Sequence, residues 1–219
     1  MKTLFISLIL LSALFAQRSK IDSLENVVQS DATNIDAMFQ LAKIYHDMVV
    51  DQENDDAVER AEELFKSILQ KKGDHAEALV YYGSLLTIKG RDAFLPWKKL
   101  SYVEVGCDEM DKAVQLAPQN ISLRITRAMN NINLPDFFNR QTYYLEDFEF
   151  IRNHPAFVSF PTGLQQKILF NSAKAFEKNE QLQKSLEMYQ KVNALNENSE
   201  YGKLASQKLA AKQDNDNVE

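Results

Sequence analysis

Disulfides are excluded at the outset, because this chain of 219 residues has a single cysteine, Cys107. A lone thiol forms no internal bridge, so the fold rests on its core alone. Turn residues are scarce as well: six glycines and five prolines. That is too few for an all-β protein of this length and suits long helices with short connections. Basic residues are outnumbered, 25 Lys and Arg against 31 Asp and Glu, for a formal charge of −6. Duplex binding rests on Lys and Arg neutralising phosphates, so no nucleic-acid partner is expected. Beyond the first sixteen residues, no stretch is apolar for long enough to span a bilayer. The full chain is 45% hydrophobic and 26% charged, the balance of a globular protein with a sizeable core, for which one domain is the natural expectation and two small ones are possible.

The N-terminus reads as a sorting signal. Lys2 supplies one positive charge, Leu4 to Phe15 is apolar apart from two serines, and Ala16 precedes an abrupt turn to polar residues at Gln17. This order is that of a secretory signal peptide, residues 1–16. A twelve-residue helix spans about 18 Å, short of the hydrocarbon thickness. Cleavage after Ala16 is therefore expected, with an exported, periplasmic or secreted product and no integral span. Leu14, three residues before the cut, is larger than usual there, and an uncleaved anchor is the alternative.

The rest repeats. Met38, Leu41, Ala42 and Tyr45 are followed by Ala61, Phe65 and Ile68; Leu79, Tyr82, Gly83 and Leu86 by Met110 and Ala113; Leu169, Ser172, Ala173 and Phe176 by Ser185, Tyr189 and Val192. Each set gives a helix with a small residue at the contact, then a second helix with its own small residue. The run from Lys112 to Asn120, closing on Ala117-Pro118, ends the second repeat. A third repeat is degraded: Ala128 keeps the small position, but Arg124 and Arg127 stand where apolar residues belong. Residues 97–117 carry one continuous apolar stripe through Val103, Cys107, Met110 and Val114, which predicts a single long helix bearing Trp97, Lys98 and Lys99 in its added turns. Asp51, Glu53, Asp55 and Asp56 predict a solvated acidic connection, and Gly90 a helix end.

These patterns resemble the tetratricopeptide-repeat family over about residues 20–210, within a domain of residues 17–212, specifically in the first, second and fourth repeats and weakly in the third. The resemblance implies an all-α, right-handed α-solenoid of stacked antiparallel helix pairs, about four repeats plus capping helices. Residues 23–30 read as a half-repeat in front, residues 200–212 as a closing cap, and 213–219 as a disordered acidic tail. The family implies binding of peptides or partner proteins and no reaction.

No motif contradicts that. His46, His75 and His154 lack metal-ligand spacing and read as surface or capping residues; neither a phosphate loop nor a Gly-x-Ser-x-Gly elbow occurs. No metal, cofactor or catalytic residue is expected, and Cys107 reads as a buried thiol. The candidate binding residues are basic and central: Arg124, Arg127, Arg140, Lys98 and Lys99, with Trp97 and Phe94 nearby. Arginine forks beside aromatics suit a carboxylate or phosphate. The alternative is that Arg124 and Arg127 pair with Asp108, Asp111, Glu146 or Asp147. Three functions are weighed: an exported adaptor holding an extended peptide or another envelope protein on its inner face near the third repeat, a soluble receptor for a small anionic solute clamped by the arginines, and, least favoured because no catalytic constellation is present in the sequence, an enzyme on a helical frame. The export reading predicts that envelope-fraction protein begins at Gln17; N-terminal sequencing that finds Met1 in a cytoplasmic pool would reject it.

Overall fold

The computed structural model describes residues 17–51 and 54–216. The signal segment 1–16 and the last residues of the expected tail, 217–219, lie outside them. Ten α-helices follow one another among the described residues: α1 (17–30), α2 (Ile35–Asp51), α3 (Asp55–Lys71), α4 (Ala76–Asp92), α5 (Pro96–Leu116), α6 (Ile121–Asn131), α7 (Gln141–Asn153), α8 (Thr162–Lys178), α9 (Leu182–Asn196) and α10 (Glu200–Asp216). Short 3-10 turns, Asp136–Phe138 and Pro155–Ser159, interrupt the second half, and no strand occurs among the described residues. Side-chain caps set several starts. Asn34 accepts from the Ala37 amide at 3.0 Å, Asn54 from Ala57 at 3.0 Å, His75 from Ala78 at 3.2 Å and Asn120 from Ser122 at 3.0 Å. Each satisfies an amide that the first helical turn leaves without a partner.

The helices pack as two units, divided in sequence within α5, the first ending at Ala113 and the second beginning at Val114. In the N-terminal unit α2 pairs with α3 around Ala42, Ala61, Phe65 and Ile68, all fully buried, with Leu41 also buried on α2 and Tyr45 half-buried at the edge. The Phe65 ring stacks on Tyr81 of α4, centroids 6.4 Å apart. Between α4 and α5 the backbones touch. A Cβ on Gly83 would lie 2.5 Å from the Gly106 carbonyl oxygen, and one on Gly106 would lie 2.6 Å from that of Gly83. Both glycines are there for the approach, as the repeat pattern asks. Cys107, the next residue after Gly106, is buried.

The C-terminal unit has two cores. Ala128 of α6 packs with Tyr144, Phe148 and Ile151 of α7 and with Ile168 of α8. Ala173 and Phe176 of α8 pack with Tyr189 and Val192 of α9 and with Ala205 of α10. Glu177 ties three helices: Tyr189 donates to it at 2.9 Å, and Lys208 and Lys212 of α10 approach to 3.2 Å. These contacts hold its carboxyl below the ordinary range even though burial, the largest single influence, pushes it up.

Three expectations change. The added residues of the first repeat do not form an acidic loop: α2 runs to Asp51 and α3 starts at Asp55, so the length goes into helix. Asp55 and Asp56 occupy the first turn of α3, where the helix dipole favours negative charge; Glu53 lies outside the described residues. Gly90 does not end α4, which continues to Asp92; its Cβ would sit 2.8 Å from a Val103 methyl, so it is a second close approach to α5. His46 is neither surface nor cap but 4% exposed, with Nε2 2.8 Å from Ser84 Oγ. His75 and His154 do cap, the latter accepting from the Ala156 amide. The long helix is as predicted within a residue at each end, and Pro118 follows its end. Helix α10 reaches Asp216 and so overlaps the segment 213–219 read as a tail.

Alanine is intrinsically the better helix former by about 1 kcal/mol. Gly83→Ala nonetheless meets the α5 backbone and should destabilise by about 1–3 kcal/mol. Gly163, with nothing within 4 Å of a built Cβ, should tolerate alanine or gain stability; urea unfolding of the two variants side by side checks the contrast.

Candidate functional site

The degraded third repeat is explained by one buried carboxylate. Asp147 of α7 is completely buried. Arg127 of α6, 5% exposed, donates from Nε to Oδ2 at 2.8 Å and from Nη2 to Oδ1 at 2.9 Å. Arg124, one turn earlier, donates from Nη1 to Oδ1 at 2.7 Å and from Nε to the Pro118 carbonyl at 2.8 Å. Its guanidinium also lies 4.4 Å from the Phe150 ring centroid, and those of Arg127 and Arg140 face Tyr143 at 5.2 and 3.7 Å. Of the two readings of Arg124 and Arg127, the geometry is that of the paired one, with Asp147 the partner. The apolar residues that the repeat pattern wants are replaced by a two-fork clamp around an acid, which fixes α6 on α7 and anchors the chain entering α6.

The other basic candidates belong to the N-terminal unit. Lys98, Lys99 and Trp97 lie in the first turn of α5, all exposed, next to the connection from α4. Trp97 is 65% exposed, Phe94 94% and Leu100 43%. Beside them opens a recess of about 490 Å³, with Ile88, Leu95, Tyr102 and Val58 as apolar wall and Lys98 on its lining. The neighbouring cations are engaged: Lys89 with Glu62, Arg91 with Asp92 at 2.6 Å, and Lys99 with the Arg91 carbonyl at 3.1 Å. The arrangement offers large apolar side chains to a partner, together with the Lys98 ammonium, which meets no carboxylate within ion-pair distance among the described residues.

One constellation has the residue types of a hydrolase triad. His46 Nε2 is bonded to Ser84 Oγ, and His46 Nδ1 stands 3.4 Å from Asp47. Its surroundings do not suit nucleophilic chemistry. Ser84 is 3% exposed in the middle of α4, where helix bonding occupies the backbone amides that an oxyanion needs. Tyr81 closes over the imidazole edge at 5.1 Å, and Asp47 is drawn to Lys43 at 2.6 Å. The group joins α2 to α4. Among the described residues no cluster of three or more His, Cys, Asp or Glu side chains fits a metal ion, and no helix is long and apolar enough to cross a membrane.

Sequence reading missed two things here. The His46–Ser84 bond links the first helices of successive repeats, and overlaying Ala42 on Gly83 would have put the two residues within a turn of each other. Arg152 also went unmarked; its character depends on what surrounds it in space.

No protein-family model matches the chain, and no curated protein matches it. Solved structures do. TTC0263, a thermophilic TPR protein of Thermus thermophilus, superposes with a TM-score of 0.62 at 13% identity, over 93% of each chain. YrrB, described as a TPR protein with an unusual peptide-binding site, gives 0.56 at 16% identity over 90% of this chain and 87% of its own. MamA gives 0.53 at 16% identity, over 81% and 86%. At such identities the likeness shows the fold, and the fold is the tetratricopeptide type: all-helical, built of antiparallel helix pairs.

Removing Arg127 takes two of the three arginine hydrogen bonds described above from a completely buried carboxylate and leaves it Arg124 alone. Arg127→Ala should cost about 3–5 kcal/mol, whereas Lys98→Ala, at an exposed position, should change stability by about 0.5 kcal/mol or less; thermal melts of the two variants check this.

Proposed function

We propose that the protein is an exported scaffold that binds a segment of another envelope protein through the exposed aromatic end of the α4–α5 hairpin, without catalysis. The observation that carries this reading is Phe94, 94% exposed, beside Trp97 at 65% and a recess of about 490 Å³ whose apolar wall is bordered by Lys89, Lys98, Asp55 and Asp92. Exposed apolar surface costs about 25 cal/mol per Å² that a partner would recover. Contiguous patches of this kind mark interaction surfaces. Aromatic side chains with a basic rim are the usual make-up of binding hot spots. Export is supported by the order of charge, apolar run and small residue in 1–16, and peptide binding by what is said of YrrB. Lys98, Lys99 and Trp97 thus belong to the proposed surface, while Arg124 and Arg127 support the repeat beneath the chain. Arg140, packed on Tyr143, belongs with that support.

The solute-receptor alternative loses its clamp at Arg124 and Arg127, since both pair with Asp147. The test is affinity capture from envelope extract with wild type and a Phe94→Ser, Trp97→Ser double variant. Both residues are exposed, so the melting curve should stay unchanged while the captured partner drops by about tenfold or more, the effect of one hot-spot residue or better. Equal capture by the two proteins would reject this surface.

A further inference from the structure

The C-terminal unit holds a second recess, of about 400 Å³, walled by the end of α7, the turn Pro155–Ser159, the start of α8 and the last turns of α9. Leu169, Phe157 and Leu195 give it an apolar wall; Arg152, Asn153 and Lys191 supply polar groups. Gln165 also faces it but is committed, donating to the Phe160 carbonyl at 2.7 Å.

Arg152 differs from other arginines of the chain. Arg124 and Arg127 share Asp147, Arg91 pairs with Asp92, and Arg60 reaches Glu25 and Glu63. Arg152 is half-buried, yet among the described residues its guanidinium donates no hydrogen bond and meets no carboxylate within ion-pair distance. It rests on the Phe176 ring at 5.2 Å. Burial, the dominant influence, lowers its affinity for the proton, and Glu149, one turn earlier, opposes this only through space. Lys191 on the same recess likewise has no carboxylate within ion-pair distance among the described residues. A partly desolvated fork without an acceptor is a cost that a bound anion relieves. Two cations over an apolar wall, in a chain of net charge −6, concentrate positive potential at one place.

We infer that this recess binds an apolar carboxylate, the carboxylate held by Arg152 and Lys191 and the hydrocarbon body, about the size of a leucine side chain, laid against Leu169 and Phe157. A bare phosphate would leave the apolar wall wet and fits less well. The same chemistry is carried by a free branched-chain acid and by the last residue of a polypeptide ending in leucine.

Calorimetric titration of the purified protein distinguishes them. The probes are 4-methylpentanoate and its amide, a leucine-terminated pentapeptide as free acid and as amide, and inorganic phosphate. Either acid should bind saturably, each amide about tenfold or more weaker, and Arg152→Gln should lose the acid by a similar factor. Affinity should fall with salt. Lys191→Gln, on an exposed helix face, should weaken binding several-fold, and it decides the matter if Arg152→Gln melts early. A tighter peptide assigns the site to chain ends, and a tighter short acid to solutes. Equal binding of acid and amide, binding indifferent to both substitutions, phosphate competing as well as the acid, or no saturation below about 10 mM would each overturn the assignment.

Discussion

Two antiparallel helices reach backbone contact only where neither carries a side chain in the way, and that constraint organises this molecule. Ala42, Ala61, Ala128 and Ala173 are fully buried at such crossings, and at Gly83 and Gly106 even a methyl group is too much. Close approach lets the flanking large residues interlock: Phe65 in the first pair, Met110 in the second, Tyr189 in the fourth. Once the crossings are set, a pair keeps an apolar side for its neighbour in the same unit, as where Phe65 of the first pair stacks on Tyr81 of α4. The proposed binding surface at Phe94 and Trp97 consists of residues that this covering leaves exposed.

The third repeat shows what happens when the apolar rule is broken. Arg124 and Arg127 place two charges where packing is expected, and Asp147 answers both. A buried ion cluster of this kind is weak as a source of net stability but severe in its demand for completeness. It also has a direction: the Arg124 bond to the Pro118 carbonyl fixes the turn that leads into α6.

The fold was readable from the chain because its determinants recur locally. A small residue with large neighbours three or four positions away is visible in any window, and the Asn caps and Pro118 punctuate it. Features set by partners distant in sequence were not readable. Asp147 was one of four acids that fitted equally well. Gly90 looked like a helix end because glycine so often is one, and only the nearness of Val103 shows otherwise. His46 carried no sign of burial until Ser84, 38 residues later, came to face it. Arg152 is the extreme case: it is defined by lacking an acceptor among the described residues, which no local window displays. The basic residues grouped by sequence as one central cluster divide between the two units, the clamp on Asp147 in one and the residues beside Trp97 in the other.

The single cysteine acquires a use from its position. Cys107 is 4% exposed and next in sequence to the glycine contact that joins α4 to α5. A thiol reagent reaches it only when the packing around α5 opens, so its labelling rate is the opening equilibrium multiplied by the reactivity of an exposed thiol. The chain therefore carries, in its own sequence, a clock for the local opening of α5, the longest helix among the described residues.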